Sequence, residues 1–115
     1  MMTKPIVWTI AGSDSGGGAG IQADLKTFQG LGVHGCSVIT SLTAQNTQRI
    51  TRIEHVSPGM IAAQLFALQA DLPPAAIKIG MLGGVGAVQA VADYLDTIRT
   101  VAVCDRDRSS TASRT

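Results

Sequence analysis

The sequence predicts an α/β fold in which a parallel sheet carries helices on both faces. Four short apolar runs, rich in β-branched residues, alternate with three segments whose apolar residues recur at helical spacing. The connections are short, and right-handed crossovers between successive strands make the sheet parallel. Only 15% of the residues are charged, which fits strands that are buried on both faces. A chain of 115 residues forms at most one domain.

The first predicted strand, Ile6–Ala11, leads into a glycine-rich corner that contains five glycines between Gly12 and Gly20. A helix that follows such a turn points free N–H groups at whatever lies there. The corner therefore predicts a small-molecule site for a polar or anionic group, and a turn without a ligand is the alternative. It is neither a P-loop, which needs a Gly-Lys pair, nor a G-x-G-x-x-G dinucleotide fingerprint.

The helix after this corner is predicted over Ala19–Leu31, on an apolar stripe, and Gly30 and Gly32 end it. The second strand, Cys36–Leu42, leads into a polar group at residues 43–47. Because open α/β sheets bind ligands at the carboxyl ends of their strands, this group is a second candidate for a site.

The remaining elements repeat the alternation. Ser57 is the predicted N-cap of the second helix and Pro58 its first residue, and the prolines at 73 and 74 stop that helix. The predicted elements are a loop with a short edge strand over residues 49–56, a helix from Pro58 to Leu72, a strand Ala76–Ile79, a helix over residues 85–98, and a strand Val101–Cys104.

The last ten residues differ from the rest of the chain. Arg106–Thr115 contains one apolar residue, Ala112, and is predicted to be a disordered tail because it cannot bury a face. The chain is therefore expected to divide into a folded part, residues 1–105, and a tail, residues 106–115.

Composition excludes several classes of protein. A net charge of +1 gives no argument for binding to nucleic acid or to an anionic membrane. Cys36 and Cys104 lie in strand-like runs and are expected to be buried, reduced thiols. The apolar run near the N-terminus is too short for a signal peptide or a membrane span, which predicts a cytoplasmic protein.

Three blocks of the sequence occur in a characteristic order: Ala11–Phe28, Gly35–Thr47 and Ile77–Leu82. In order and spacing they resemble the hydroxymethylpyrimidine and phosphomethylpyrimidine kinases, thiamine-biosynthesis enzymes of the ribokinase-like superfamily. The resemblance runs from about Ile6 to Asp105. It implies a ribokinase-like fold, a homodimer, and transfer of the γ-phosphoryl group of ATP, with Mg²⁺, to the alcohol of 4-amino-5-hydroxymethyl-2-methylpyrimidine and then to its monophosphate.

The resemblance also implies four substrate-binding residues. Gln45 would contact the pyrimidine, because a carboxamide complements a donor beside an acceptor; a loop glutamine bonded to the backbone is the alternative. Asp24 would accept from the amine or hydroxymethyl group, or it is only an acidic residue near a helix N-terminus. Gly12 would let the substrate lie against the backbone. Met81 would form an apolar wall, unless it is part of the core.

Other candidate residues are weaker. Asp105 resembles the aspartate that faces magnesium and the triphosphate in this superfamily, although the residues after it depart from the family pattern. His34 and His55 have no partner in the sequence, and surface or loop positions are expected for both.

The family places its catalytic residue, its anion-hole glycine motif and most of its nucleotide site in the later half of the protein. We therefore expect no catalytic residue here, but an inactive N-terminal portion truncated after about the fourth core strand, for which a frame shift near Asp105 is one possible origin. The alternatives are a non-catalytic pyrimidine-binding module and a fragment too incomplete to hold its fold. An exposed edge strand and apolar helix faces predict self-association.

Overall fold

The computed structural model describes residues 4–98, 101–105 and 110–114. Its elements are β1 (Ile6–Asp14), α1 (Gly20–Gly30), β2 (His34–Gln45), β3 (Ile50–His55), α2 (Pro58–Asp71), β4 (Ala76–Ile79), α3 (Val85–Leu95), β5 (Val101–Asp105) and β6 (Ser110–Arg114). The strands form one sheet in the order β3-β2-β1-β4-β5-β6. The four inner strands are parallel and the two outer strands pair antiparallel. The predicted α/β fold is therefore confirmed, with the predicted edge strand β3 on one side and the unpredicted strand β6 on the other.

The helices lie on both faces of the sheet, as predicted. Trp8 and Ile10 of β1 are fully buried in the core that α2 and α3 form on one face. Thr9, between them, points to the other face, where its hydroxyl donates to Asp24 of α1 over 2.6 Å. Successive side chains of a strand point to opposite faces, and this alternation assigns each residue of β1 to one layer.

The hairpin of β2 and β3 is longer than the sequence predicted. β2 continues through the polar residues to Gln45, and β3 covers six residues, all of them exposed. Asn46 closes the turn between them, because its side-chain oxygen accepts the N–H groups of Gln48 (2.8 Å) and Arg49 (3.1 Å). The predicted edge strand is therefore present and complete.

The expectation of a disordered tail is wrong for residues 110–114. Ser110–Arg114 forms β6, which pairs antiparallel with β5. The edge of β5 offers backbone N–H and C=O groups that a polar segment can pair with, without burying an apolar face. The prediction considered only side-chain hydrophobicity. Residues 106–109 and 115 lie outside the described residues, and the division of the chain at residue 105 stays a prediction.

The two cysteines differ, although both were expected to be buried. Cys36 is 7% exposed in the core, whereas Cys104 is exposed. Val103 takes the inward position of β5, so Cys104 points to the opposite face, where α1 packs mainly against β1 and β2. Burial, and secondly the negative charge of Asp71, raise the pKa of the Cys36 thiol.

Among the described residues, no helix is long and apolar enough to cross a membrane.

Candidate functional site

A hollow of about 400 Å³ opens at the carboxyl edge of the sheet. Its walls come from the ends of β1 and β2, from β3, and from the residues that follow β4. Because β1, β2 and β4 are parallel and adjacent, their carboxyl ends meet at this edge. The volume falls within the range of small-molecule sites.

Three of the four predicted substrate-binding residues, Gly12, Gln45 and Met81, line the hollow. A Cβ atom on Gly12 would lie 2.7 Å from the hydroxyl oxygen of Ser41, so β2 packs closely against the backbone there. Met81 is 62% exposed and forms a wall of the hollow rather than part of the core.

Gln45 is held at the end of β2 by its backbone. Its N–H donates to the Ser15 hydroxyl over 2.7 Å, and that hydroxyl lies 2.6 Å from the Gln45 carbonyl oxygen. Its side-chain oxygen lies 3.1 Å from the hydroxyl oxygen of Thr43. The backbone contacts fix where the carboxamide enters the hollow, while the side chain keeps hydrogen-bonding capacity for a ligand.

Asp24, the fourth predicted residue, does not line the hollow. Its two carboxylate oxygens lie 3.0 and 2.8 Å from Lys78 Nζ, and the second also accepts the Thr9 hydroxyl. Lys78 itself lines the hollow. The carboxylate of Asp24 therefore lies behind the Lys78 ammonium group. The two residues are 54 positions apart in the sequence.

The glycine corner differs from its prediction, because its N–H groups are already bonded. The carboxylate of Asp14 accepts the N–H groups of Gly16 (2.7 Å), Gly18 (3.0 Å) and Ala19 (2.9 Å), and Asp14 is only 7% exposed. The expectation that the corner points free N–H groups at a polar or anionic ligand is wrong for these three groups. An aspartate two residues before a glycine run is a signal for such a turn.

Gly20 and Gln22 lock the corner onto the end of β1. Gly20 has φ +59°, and a Cβ atom there would lie 2.3 Å from the Gly12 carbonyl oxygen. The Gln22 carboxamide accepts the Asp14 N–H over 2.8 Å and donates to the Ser13 hydroxyl over 2.7 Å. These contacts fix the backbone at Gly12, where it forms the floor of the hollow.

The sequence interpretation missed the wall that β3 contributes. Ile50, Ile53 and His55 line the hollow, and both isoleucines are about half exposed. A Cβ atom on Gly83 would lie 3.2 Å from the His55 ring, so the histidine packs against the loop after β4. The surface position expected for His55 is confirmed, since the residue is exposed, but it lies in a strand that lines the hollow rather than in a loop. His34 begins β2 and is exposed, as expected.

Asp105 is the last residue of β5, and its backbone pairs with Ile79 of β4 at the same edge. Its side chain lies outside what the structure describes. Within residues 4–98, 101–105 and 110–114, no three His, Cys, Asp or Glu side chains form a group that could hold a metal ion. The magnesium role of Asp105 stays a prediction.

The comparison with known families decides the relationship. The family model of phosphomethylpyrimidine kinase matches residues 14–113. The chain belongs to the phosphomethylpyrimidine kinase family. A hydroxymethylpyrimidine/phosphomethylpyrimidine kinase of Rhizobium meliloti is 54% identical over 100 residues, which are 87% of this chain and 38% of the relative. The match to the family includes most of residues 106–115, for which the sequence interpretation expected a departure from the family pattern.

Solved structures of kinases share the fold. The phosphomethylpyrimidine kinase of Clostridium difficile superposes with a TM-score of 0.81 at 44% identity, over 87% of this chain and 44% of that one. The pyridoxal kinase of Staphylococcus aureus, solved with AMP-PCP and pyridoxal, gives 0.79 at 30% identity, over 90% and 39%. These likenesses confirm the ribokinase-like α/β fold, and the chain spans less than half the length of each relative.

Proposed function

We propose that this chain forms the pyrimidine-binding part of a hydroxymethylpyrimidine/phosphomethylpyrimidine kinase of thiamine biosynthesis. The reaction would transfer the γ-phosphoryl group of ATP to the alcohol of 4-amino-5-hydroxymethyl-2-methylpyrimidine and then to its monophosphate. One observation carries the proposal: Gly12, Gln45 and Met81, which lie far apart in the sequence, line one hollow at the carboxyl edge of the sheet.

The chemistry of the hollow suits a small planar heterocycle. Met81, Ile50 and Ile53 offer apolar surface to the faces of a ring, and Gln45 offers a donor and an acceptor to its edge. Apolar walls with a few polar groups are the usual composition of a small-molecule site, in which the polar groups set orientation. Asp24 belongs to the site through its contact with Lys78.

ATP and Mg²⁺ enter the proposal as the phosphoryl donor and its counterion. The similar pyridoxal kinase was solved with AMP-PCP, which supports ATP. Asp105 is the proposed contact to magnesium. The family resemblance assigns the catalytic residue and most of the nucleotide site to sequence beyond the part matched here, so we expect these 115 residues alone to bind the pyrimidine without turning over ATP. The homodimer, self-association and cytoplasmic location also stay predictions.

Calorimetric titration of the 115-residue chain with the hydroxymethylpyrimidine tests this function. Replacing Gln45 by Leu removes two hydrogen-bonding groups of the site, each worth about 1 kcal/mol, so the dissociation constant should rise about 30-fold. Gln29→Leu, at an exposed position of α1, is the matched control and should bind like the wild type. No binding by a chain that unfolds cooperatively, or equal binding by Gln45→Leu, would contradict the proposal.

The same samples test the remaining expectations. A cooperative thermal transition would exclude a fragment that cannot hold its fold. Release of ADP from ATP in the presence of the pyrimidine would refute the expected inactivity. A clean monomer in sedimentation velocity would count against self-association.

A further inference from the structure

Resting on this function, we propose that Lys78 donates a hydrogen bond to an acceptor atom of the pyrimidine, and that Asp24 is the positioning residue that holds the Lys78 ammonium in place. The sequence interpretation assigned the substrate contact to Asp24 itself. The side chains in the structure reverse the two roles, because Lys78 lines the hollow and Asp24 lies behind it.

The carboxylate of Asp24 is largely committed to protein groups. Lys78 Nζ lies 3.0 and 2.8 Å from its two oxygens, and the fully buried Thr9 hydroxyl donates to one of them over 2.6 Å. The Asp24 side chain is 16% exposed, against 31% for Lys78. A ligand that bonded to Asp24 would have to displace one of these partners.

The Lys78 ammonium, in contrast, keeps a donor for the hollow. It has three N–H groups, and two contacts to Asp24 leave at least one of them. Gly80, which also lines the hollow, lies beside the ammonium, since a Cβ atom there would lie 3.5 Å from Lys78 Nζ. Among the described residues that line the hollow, Lys78 alone carries a permanent positive charge.

Asp24 holds the flexible side chain of Lys78 in one position. A lysine side chain is long and flexible, and fixing it on binding costs conformational entropy. Two contacts to one carboxylate fix the ammonium before a ligand arrives, which reduces that cost. The pair is also neutral overall, which matches a neutral aminopyrimidine better than a lone buried charge would.

Binding measurements on variants of the 115-residue chain test these roles. Lys78→Met removes a charged donor, so the dissociation constant for the hydroxymethylpyrimidine should rise about 10- to 100-fold. Asp24→Asn keeps the ammonium and should raise it less, by about 3- to 5-fold. Lys4→Met, at an exposed lysine before β1, is the control and should bind like the wild type.

A double variant, Asp24→Asn with Lys78→Met, guards against a folding defect, because it leaves no buried carboxylate without its partner. It should keep a cooperative unfolding transition and bind as weakly as Lys78→Met. In the wild-type chain, saturating pyrimidine should shift the Cε resonance of Lys78 more than the carboxyl resonance of Asp24.

The outcomes separate this inference from the function on which it rests. If the wild-type chain does not bind the pyrimidine, the proposed function fails and the inference fails with it. If the wild type binds but the double variant binds equally well, or if Asp24→Asn loses as much affinity as Lys78→Met, only the assignment of Lys78 is overturned.

Discussion

Gly20, the first residue of α1, is the position where one added methyl group should lower the free energy of unfolding most. Its φ of +59° is left-handed, which costs a non-glycine residue about 1–2 kcal/mol. The added Cβ would lie 2.3 Å from the Gly12 carbonyl oxygen, so this backbone must retreat by about 1 Å to an ordinary contact. Forced backbone shifts of this kind cost about 1–3 kcal/mol. Gly20→Ala should therefore lower the free energy of unfolding by about 2–5 kcal/mol.

Two other glycines separate these contributions. Gly32 has φ +77°, and no atom lies within 4 Å of the position that an added Cβ would take, so Gly32→Ala should show the conformational cost alone, about 1–2 kcal/mol. Gly30 lies in α1 with open space around it, and Gly30→Ala should be neutral or stabilising by up to about 1 kcal/mol.

Thermal unfolding followed by circular dichroism measures all three variants, and calorimetry measures their affinity for the pyrimidine. Gly20→Ala should lower Tm by about 10 °C or more and weaken binding, because the backbone at Gly12 forms the floor of the hollow. Equal losses for Gly20→Ala and Gly32→Ala would refute the close contact between Gly20 and the Gly12 carbonyl group.

Two further predictions concern buried groups. Asp14→Asn replaces a carboxylate that accepts three backbone N–H groups, so it should lower the free energy of unfolding in urea by about 2 kcal/mol or more; a loss below about 0.5 kcal/mol would contradict this. Cys36 has a raised pKa in the folded state, so its contribution to stability is complete below the ordinary pKa of a thiol, about 8.5, and is lost as pH rises above it. Between about pH 7 and pH 10, the free energy of unfolding of Cys36→Ala should therefore fall less than that of the wild type. Cys104→Ser changes an exposed thiol and should follow the wild-type pH dependence. Parallel pH dependences of all three proteins would contradict this prediction.

The inner strands and the helices could be predicted from the sequence because their signals are local. Apolar runs marked β1, β2, β4 and β5, and Ser57 was correctly predicted as the N-cap of α2, since its side chain accepts the Met60 N–H over 3.2 Å. The ends of the strands were not predicted. β1 and β2 continue to Asp14 and Gln45, and β6 is polar apart from Ala112, because backbone pairing can extend a sheet where the side chains give little hydrophobic signal.

The candidate site, like the fold, could be predicted only in part. Gly12 and Gln45 lie near the carboxyl ends of β1 and β2, Met81 follows β4, and the parallel topology brings the three positions to one edge. The position of Lys78 in the hollow could not be predicted, because its partner Asp24 lies 54 residues away and no local sequence pattern indicates the ion pair. His55 was missed because the strand that carries it is an edge strand with a weak pattern.

The contacts of Asp14 define what this edge of the sheet can recognise. A glycine-rich corner before a helix binds phosphate when its N–H groups are free, but here a carboxylate of the protein already accepts three of them. An incoming anion would have to displace that carboxylate and would meet its negative charge at close range. Under the proposed function, we expect recognition at this edge to depend mainly on the carboxamide of Gln45, the ammonium of Lys78 and the apolar wall of Met81 with β3. We therefore expect a neutral ring in the hollow, and we expect the phosphates of the proposed ATP to be bound by groups other than these three N–H groups.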